Sequence, residues 1–131
     1  MKYKYFFIFF LFSFYFESVK SENIECQGAK LRIINKITTQ KNTYIIPLSQ
    51  TLELDNAKLR VLRCVKIEMN GVQDEIAILS HQSTIKNEDD FLGWIFKSSQ
   101  YINSPVNANY DIKLMECLEN DPIFLKKINT N

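Results

Sequence analysis

Residues 57–71 restrict the folds open to this chain more than any other stretch. From Ala57 to Met69 the side chains alternate. Leu59, Val61, Val65, Ile67 and Met69 fall on one parity, and Lys58, Arg60, Lys66 and Glu68 on the other. Period two is the mark of a strand with one buried face, because successive side chains point to opposite sides of the backbone. Asn70-Gly71 comes directly after, and this dipeptide accepts the positive φ angles of a tight hairpin turn. The partner strand begins at Glu75-Ile76-Ala77-Ile78-Leu79 and runs on toward Thr84. Arg63 interrupts the apolar parity while Leu62 and Cys64 sit on the polar one, so the pattern admits a bulge at this point.

The rest of the chain adds strands of the same kind. Leu31, Ile33 and Ile37 alternate with Arg32, Ile34 and Lys36, and Gln40-Lys41-Asn42 supplies a turn. Thr43 to Ile46 is β-branched and aromatic, and Pro47, which cannot donate to a ladder, stops it. Thr51 to Leu54 alternates again, and Asp55-Asn56 has the length of a two-residue hairpin turn. Ile85 to Asp90 is a charged loop. Phe91 to Phe96 shows no alternation, which predicts a strand covered on both faces, with Gly93 marking a bulge or another backbone passing close. After a connection from Ser98 to Asn109, Tyr110, Ile112 and Leu114 alternate with Asp111, Lys113 and Met115. About seven short strands and no convincing helix predict an all-β fold, a compact antiparallel β-sandwich or a partly open barrel.

Compartment is read from the start of the chain. Lys2 and Lys4 precede an apolar run from Tyr5 to Phe16, shorter than the roughly 20 residues a membrane-spanning helix needs. The run has the form of a signal peptide over residues 1–21, cleaved after Ser21; an uncleaved anchor is the alternative. Asn23-Ile24-Glu25 before Cys26 does not fit a lipidation site. Residues 22–28 then form a disordered lead-in, 29–118 a single all-β domain and 119–131 a polar tail. Cleavage removes Lys2, Lys4 and Lys20 from 16 basic residues and Glu17 from 15 acidic ones, leaving a net charge of about −1. That balance offers nothing to nucleic acid or an anionic membrane surface.

Three cysteines in an exported chain predict one bridge and one leftover thiol. Cys64 and Cys117 each end a strand-like run, whereas Cys26 lies in the polar lead-in, so the bridge is assigned to Cys64 and Cys117. Each falls on the polar parity of its strand, beside Lys66 and Lys113, so both sulfurs would project from one side of a sheet if the strands are neighbours.

The string Phe91-x-Gly93-Trp94-Ile95-Phe96-x-Ser98-Ser99, then Tyr110-Asp111-Ile112 and a close on Cys117, resembles the signature of the domain of unknown function 2155 family. Leu31 to Thr38 is similar to that family's Leu-Asp-Lys-Val-Thr opening, with Asn35 where Asp is usual. Ile46-Pro47-Leu48 and Leu59 to Cys64 resemble its proline element and its cysteine-ended strand. The likeness spans Ala29 to Cys117. It implies a small exported alphaproteobacterial protein with a cysteine pair, and no reaction. Gln100 stands where the family has Pro, and Val106-Asn107-Ala108 where it has Glu-His-Pro, so any chemistry of that histidine is lost here.

Few residues offer chemistry. His81, the one histidine, lies near a strand end and suits a structural or surface role. One histidine and three scattered cysteines give no metal-ligand spacing, and no cofactor is implied. Glu88, Asp89 and Asp90, or Asp111, would have to supply the paired carboxylates of a carbohydrate-active hydrolase. Ser98 and Ser99 lack a base or an elbow motif and suit capping instead. Trp94 and Tyr110 are core rings or, if exposed, binding anchors. The candidate binding set is therefore Trp94, Ser98, Ser99, Tyr110 and Asp111. The reading is a non-catalytic binding or envelope-assembly module, whose partner is another envelope protein and whose surface lies near Ser98 to Asn109.

Overall fold

The computed structural model describes residues 23–98 and 109–128. Among the described residues there are nine strands and no helix: β1 Asn23–Glu25, β2 Gly28–Asn35, β3 Lys41–Pro47, β4 Thr51–Leu54, β5 Ala57–Met69, β6 Val72–Ser83, β7 Phe91–Phe96, β8 Tyr110–Leu118 and β9 Lys126–Ile128. No described helix is long and apolar enough to cross a membrane. The strands expected from the sequence are β2 to β8. One antiparallel sheet has the order β1-β5-β6-β7, with β4 also on β5, and the other has the order β8-β2-β3-β9. The sheets stay open and pack face to face, so the sandwich is the architecture that forms. Leu31, Ile33, Ile46, Leu59, Val61 and Leu79 fill the space between them.

The β5–β6 hairpin is the long central pair, and its turn uses Asn70 at φ 53° and Gly71 at φ 78°. The other turns differ from expectation. Asp55-Asn56 joins β4 to β5, yet neither residue takes a positive φ. Asn56 is held instead by donating from its N–H to the Tyr110 hydroxyl (3.3 Å) and accepting from Thr84 N–H (2.9 Å). β2 ends at Asn35, short of where the alternation ends, because the Asn35 carboxamide oxygen accepts from the N–H groups of Ile37 and Thr38 and turns the chain.

Two bulges govern the core. Val61 pairs with Leu79 and Arg63 with Ile78, leaving Leu62 as the extra residue in β5. Lys30 pairs with Glu116 and Leu31 with Leu114, leaving Met115 extra in β8. Each bulge inverts the parity of the residues beyond it. Cys64 and Cys117, both on the polar parity in sequence, are thereby turned inward and fully buried. They form the expected disulfide, with Cα atoms 5.6 Å apart, but it ties β5 to β8 across the two sheets and does not join neighbours within one. Closing this loop, with a sequence separation of 53, destabilises the unfolded chain by about 4 kcal/mol in the loop-entropy account.

Four further expectations change. β7 is not covered on both faces: it ends its sheet, and Leu92 and Trp94 are 70% and 42% exposed while Ile95 is buried. No bulge occurs at Gly93. A Cβ there would lie 2.9 Å from the Phe91 ring, so glycine makes room for that ring on the inner face. The lead-in is ordered from Asn23, since β1 pairs with β5 and Cys26 is buried in the core. The tail is ordered to Ile128: β9 pairs with β3, and the Gln50 carboxamide donates to Ile123 O (2.6 Å) and accepts from Leu125 N–H (3.0 Å). Neither segment alternates in sequence. Backbone pairing and one glutamine hold them, not an apolar face.

Candidate functional site

Two surfaces gather the residues of interest. The first is a cleft of about 660 Å³ at the disulfide end, lined among others by Ile24, Lys66, Glu75, Lys97, Ser98 and Glu116. Its centre is Glu75, on the inner face of β6 and nearly buried. One carboxylate oxygen accepts from the N–H of Cys117 (3.0 Å), on the opposite sheet. The other lies 2.8 Å from Lys97 Nζ, and this hydrogen bond raises the pKa of Lys97. Lys66 stands 4.0 Å from the same carboxylate and 3.4 Å from Glu119. A buried N–H needs an acceptor, and Glu75 is the one that Cys117 has. Glu75 is thus a polar clasp beside the disulfide. Nothing in the candidate set pointed to it, although its place on the inward parity with Ala77 and Leu79 was a usable signal.

Ser98 lies at the mouth of this cleft. Its hydroxyl donates to Asp74 (2.6 Å) and its N–H donates to the same carboxylate (3.2 Å), so it fastens the end of β7 to β6. Ser99 and the connection to Ala108, including Asn107, lie outside the described residues.

Tyr110 and Asp111 are elsewhere. Tyr110 is a buried pillar whose hydroxyl accepts from Asn56 N–H, and Asp111 lies opposite Ile34 on the outer face of the other sheet. Both start β8, whereas the cleft lies at its far end, roughly 23 Å away at 3.3 Å per residue. The five candidates therefore do not converge on one site. Two of the three loop acids are engaged as well. Glu88 accepts from the Ser83 hydroxyl (2.6 Å) and Asp90 from the Ser83 N–H (3.0 Å), an arrangement that shapes the turn before β7. Among the described residues, no three His, Cys, Asp or Glu side chains are placed to hold a metal ion.

His81 belongs to the core and not to the surface: it is 1% exposed, its Nε2 has no described partner, and burial lowers its pKa. Cys26 is also buried, and burial raises the pKa of its thiol. Its N–H donates to Cys64 O (2.8 Å), which extends the β1–β5 ladder to the bridged cysteine.

The second surface is the outer face of β5, β6 and β7. Register sets Arg63, Ile78 and Trp94 in one row, Val65, Ile76 and Phe96 in the next, and Arg60, Ser80 and Leu92 in a third. The bulge turns Leu62 out as well, 42% exposed. At the rim, Arg63 is ion-paired with Glu25. Leu62, Ile76, Ile78, Leu92, Trp94 and Phe96 thus make an apolar face that no described strand covers, and such a face marks an interaction surface more often than a solvated one. Of the sequence-predicted set, Trp94 belongs to it.

A model of the family described as an uncharacterized protein conserved in bacteria (DUF2155) matches residues 29–117, from β2 to the bridged Cys117. The chain belongs to that family. Comparison with curated proteins and with solved structures finds no match.

Proposed function

We propose that this chain is an exported periplasmic protein that performs no catalysis and binds or assembles with an envelope protein through the outer face of β5, β6 and β7. The observation that carries the reading is the apolar face that no described strand covers, with Trp94 on its edge strand. Export is supported by the residue pattern before Ser21 and by a disulfide that suits an oxidising compartment. A binding role is supported over hydrolysis by the engagement of Ser98, Glu75, Glu88 and Asp90 in structural hydrogen bonds.

The test is site-directed photo-crosslinking in the native envelope, with the photoreactive side chain at Leu92 and, as a control, at Lys113 on the outer face of the other sheet. The reading expects a discrete protein adduct from Leu92 that is absent from Lys113 and lost with Trp94→Ser. Equal adducts from both positions, or recovery of the chain in the cytoplasm with residues 1–21 attached, would overturn it.

A further inference from the structure

Edge strands expose unpaired backbone groups, and proteins normally blunt them by brevity, charge or proline. Four described edges of this sandwich are blunted in these ways. β1 and β9 have three residues each, β4 has four and carries Glu53, and β8 carries Asp111, Lys113 and Glu116. β7 is not. Phe91-Leu92-Gly93-Trp94-Ile95-Phe96 contains no charge and no proline, and it pairs with β6 without a bulge.

The phase of that edge can be read from one hydrogen bond. Lys97 N–H donates to Glu75 O (2.9 Å), so the backbone groups of Phe91, Gly93 and Ile95, on the same phase as Lys97, face β6. Those of Leu92, Trp94 and Phe96 then point away, to the side where no described strand lies.

We propose that a second copy of this chain occupies the edge, with the two β7 strands pairing antiparallel about a two-fold axis through Trp94. The inference rests on the reading of the Trp94 face as the binding surface, and it names the partner. A two-fold axis between antiparallel strands stands perpendicular to the sheet, so each outer face meets the outer face of its twin. Only residues of like parity can then lie opposite each other. Centring on Trp94 sets Trp94 against Trp94, Leu92 against Phe96 of the second copy, Asp90 against Ser98 and Phe91 against Lys97. Apolar meets apolar at every outward position of the strand, and no like charges oppose. Centring on Gly93 would instead press Asp90 against the Phe96 ring. The Trp94 register also makes the three outward-pointing residues hydrogen-bonded pairs, giving about six backbone bonds across the axis. It joins the two apolar faces into one and yields a sheet about eight strands across, within the ordinary range.

The test uses the oxidised chain from Glu22 to Asn131, measured by light scattering and sedimentation from micromolar to millimolar concentration. Trp94, the chain's one tryptophan, serves as an internal probe. The expected result is a doubled mass on concentration, with Trp94 emission moving to the blue along the same isotherm. Leu92→Pro removes an edge N–H that β6 does not use and is expected to abolish the dimer, as is Trp94→Lys, which sets two charges together on the axis. Leu62→Ser, on the same face but away from the edge, is expected to leave the dimer intact. Intact mass and circular dichroism confirm that each variant retains the disulfide and the fold; if Leu92→Pro does not fold, Trp94→Lys alone decides. A monomer throughout, or dimers unaffected by both edge variants, would overturn the proposal. If the chain is monomeric and Leu92 still crosslinks another protein in a Trp94-dependent way, the second-copy assignment falls and the binding reading stands. If neither occurs, both fall.

Discussion

Replacing Glu75 by alanine removes, in one step, the acceptor for Cys117 N–H and the anion beside Lys97. A buried N–H left without a partner costs about 1–3 kcal/mol. The ion pair adds little, on the order of 0–1 kcal/mol, because the Lys97 side chain is half exposed and water screens it. One largely buried methylene is also lost, worth roughly 0.8 kcal/mol at full burial. The expected destabilisation is about 3 kcal/mol, a large share of what a domain of this size holds. In a thermal melt it corresponds to a drop of roughly 10–20 °C. Glu75→Gln keeps an oxygen for Cys117 and loses only the charge, so it is expected to stay within about 1 kcal/mol of the parent, as is Lys97→Ala. Urea unfolding of the oxidised chain from Glu22 to Asn131, monitored by far-ultraviolet dichroism and by Trp94 emission, gives the three values. Equal losses in the Gln and Ala variants, or an Ala loss under about 0.5 kcal/mol, would refute the claim that satisfying the Cys117 N–H is what Glu75 does.

His81 makes stability depend on pH. Burial holds its folded pKa below the ordinary histidine value of 6.5, so the unfolded chain takes up the proton first. Stability from this group is therefore complete above pH about 6.5 and is lost as the pH falls toward the folded value, at up to roughly 1.4 kcal/mol per unit. Urea midpoints of the parent and His81→Leu should diverge over that window and run parallel above it. Cys26, buried with a raised pKa, is expected to resist iodoacetamide in the folded protein and to react once urea is added. Intact mass should then show one alkylation, against three after reduction. Tyr110→Phe deletes the acceptor for Asn56 N–H and should cost about 1 kcal/mol in the same unfolding assay, without changing the mass of any dimer.

Most of the strands from β2 to β8 were legible because each buries one face and period two records that burial directly; β7 was legible only as an apolar run bounded by turn signals. The cysteine pair was legible too, because Cys64 and Cys117 lie in two such runs and Cys26 does not. The broken alternation at Arg63 announced the bulge in β5 but not its consequence for Cys64, and Met115 adds a residue with no break in the pattern, so Cys64 and Cys117 read as outward while both point inward. The same shift hid the fact that their strands belong to different sheets. β1, β9 and the Gln50 clamp rest on backbone pairing and one side-chain amide, which leave no hydrophobic pattern. Trp94 could not be placed from sequence alone, because an apolar run that ends a sheet has the composition of a central strand. Only topology decides that one face is left open.

The two surfaces are mechanically joined through the end of β7. Lys97 gives its N–H to the Glu75 carbonyl and its ammonium to the Glu75 carboxylate, and Ser98 gives both its donors to Asp74. Glu75 in turn holds Cys117 of the opposite sheet, next to the disulfide. At the other end, the carboxylate of Asp90, one residue before β7, accepts from the Ser83 N–H at the end of β6. β7 is therefore fixed at both ends while the backbone groups of Leu92, Trp94 and Phe96 point to the side where no described strand lies. A strand fixed in this way needs no further ordering to accept a partner, so little of the interaction energy is lost to conformational entropy. Asp74, Glu75, Lys97 and Ser98, which line one part of the cleft, thus hold in place the one edge among the described strands that carries no charge, proline or bulge.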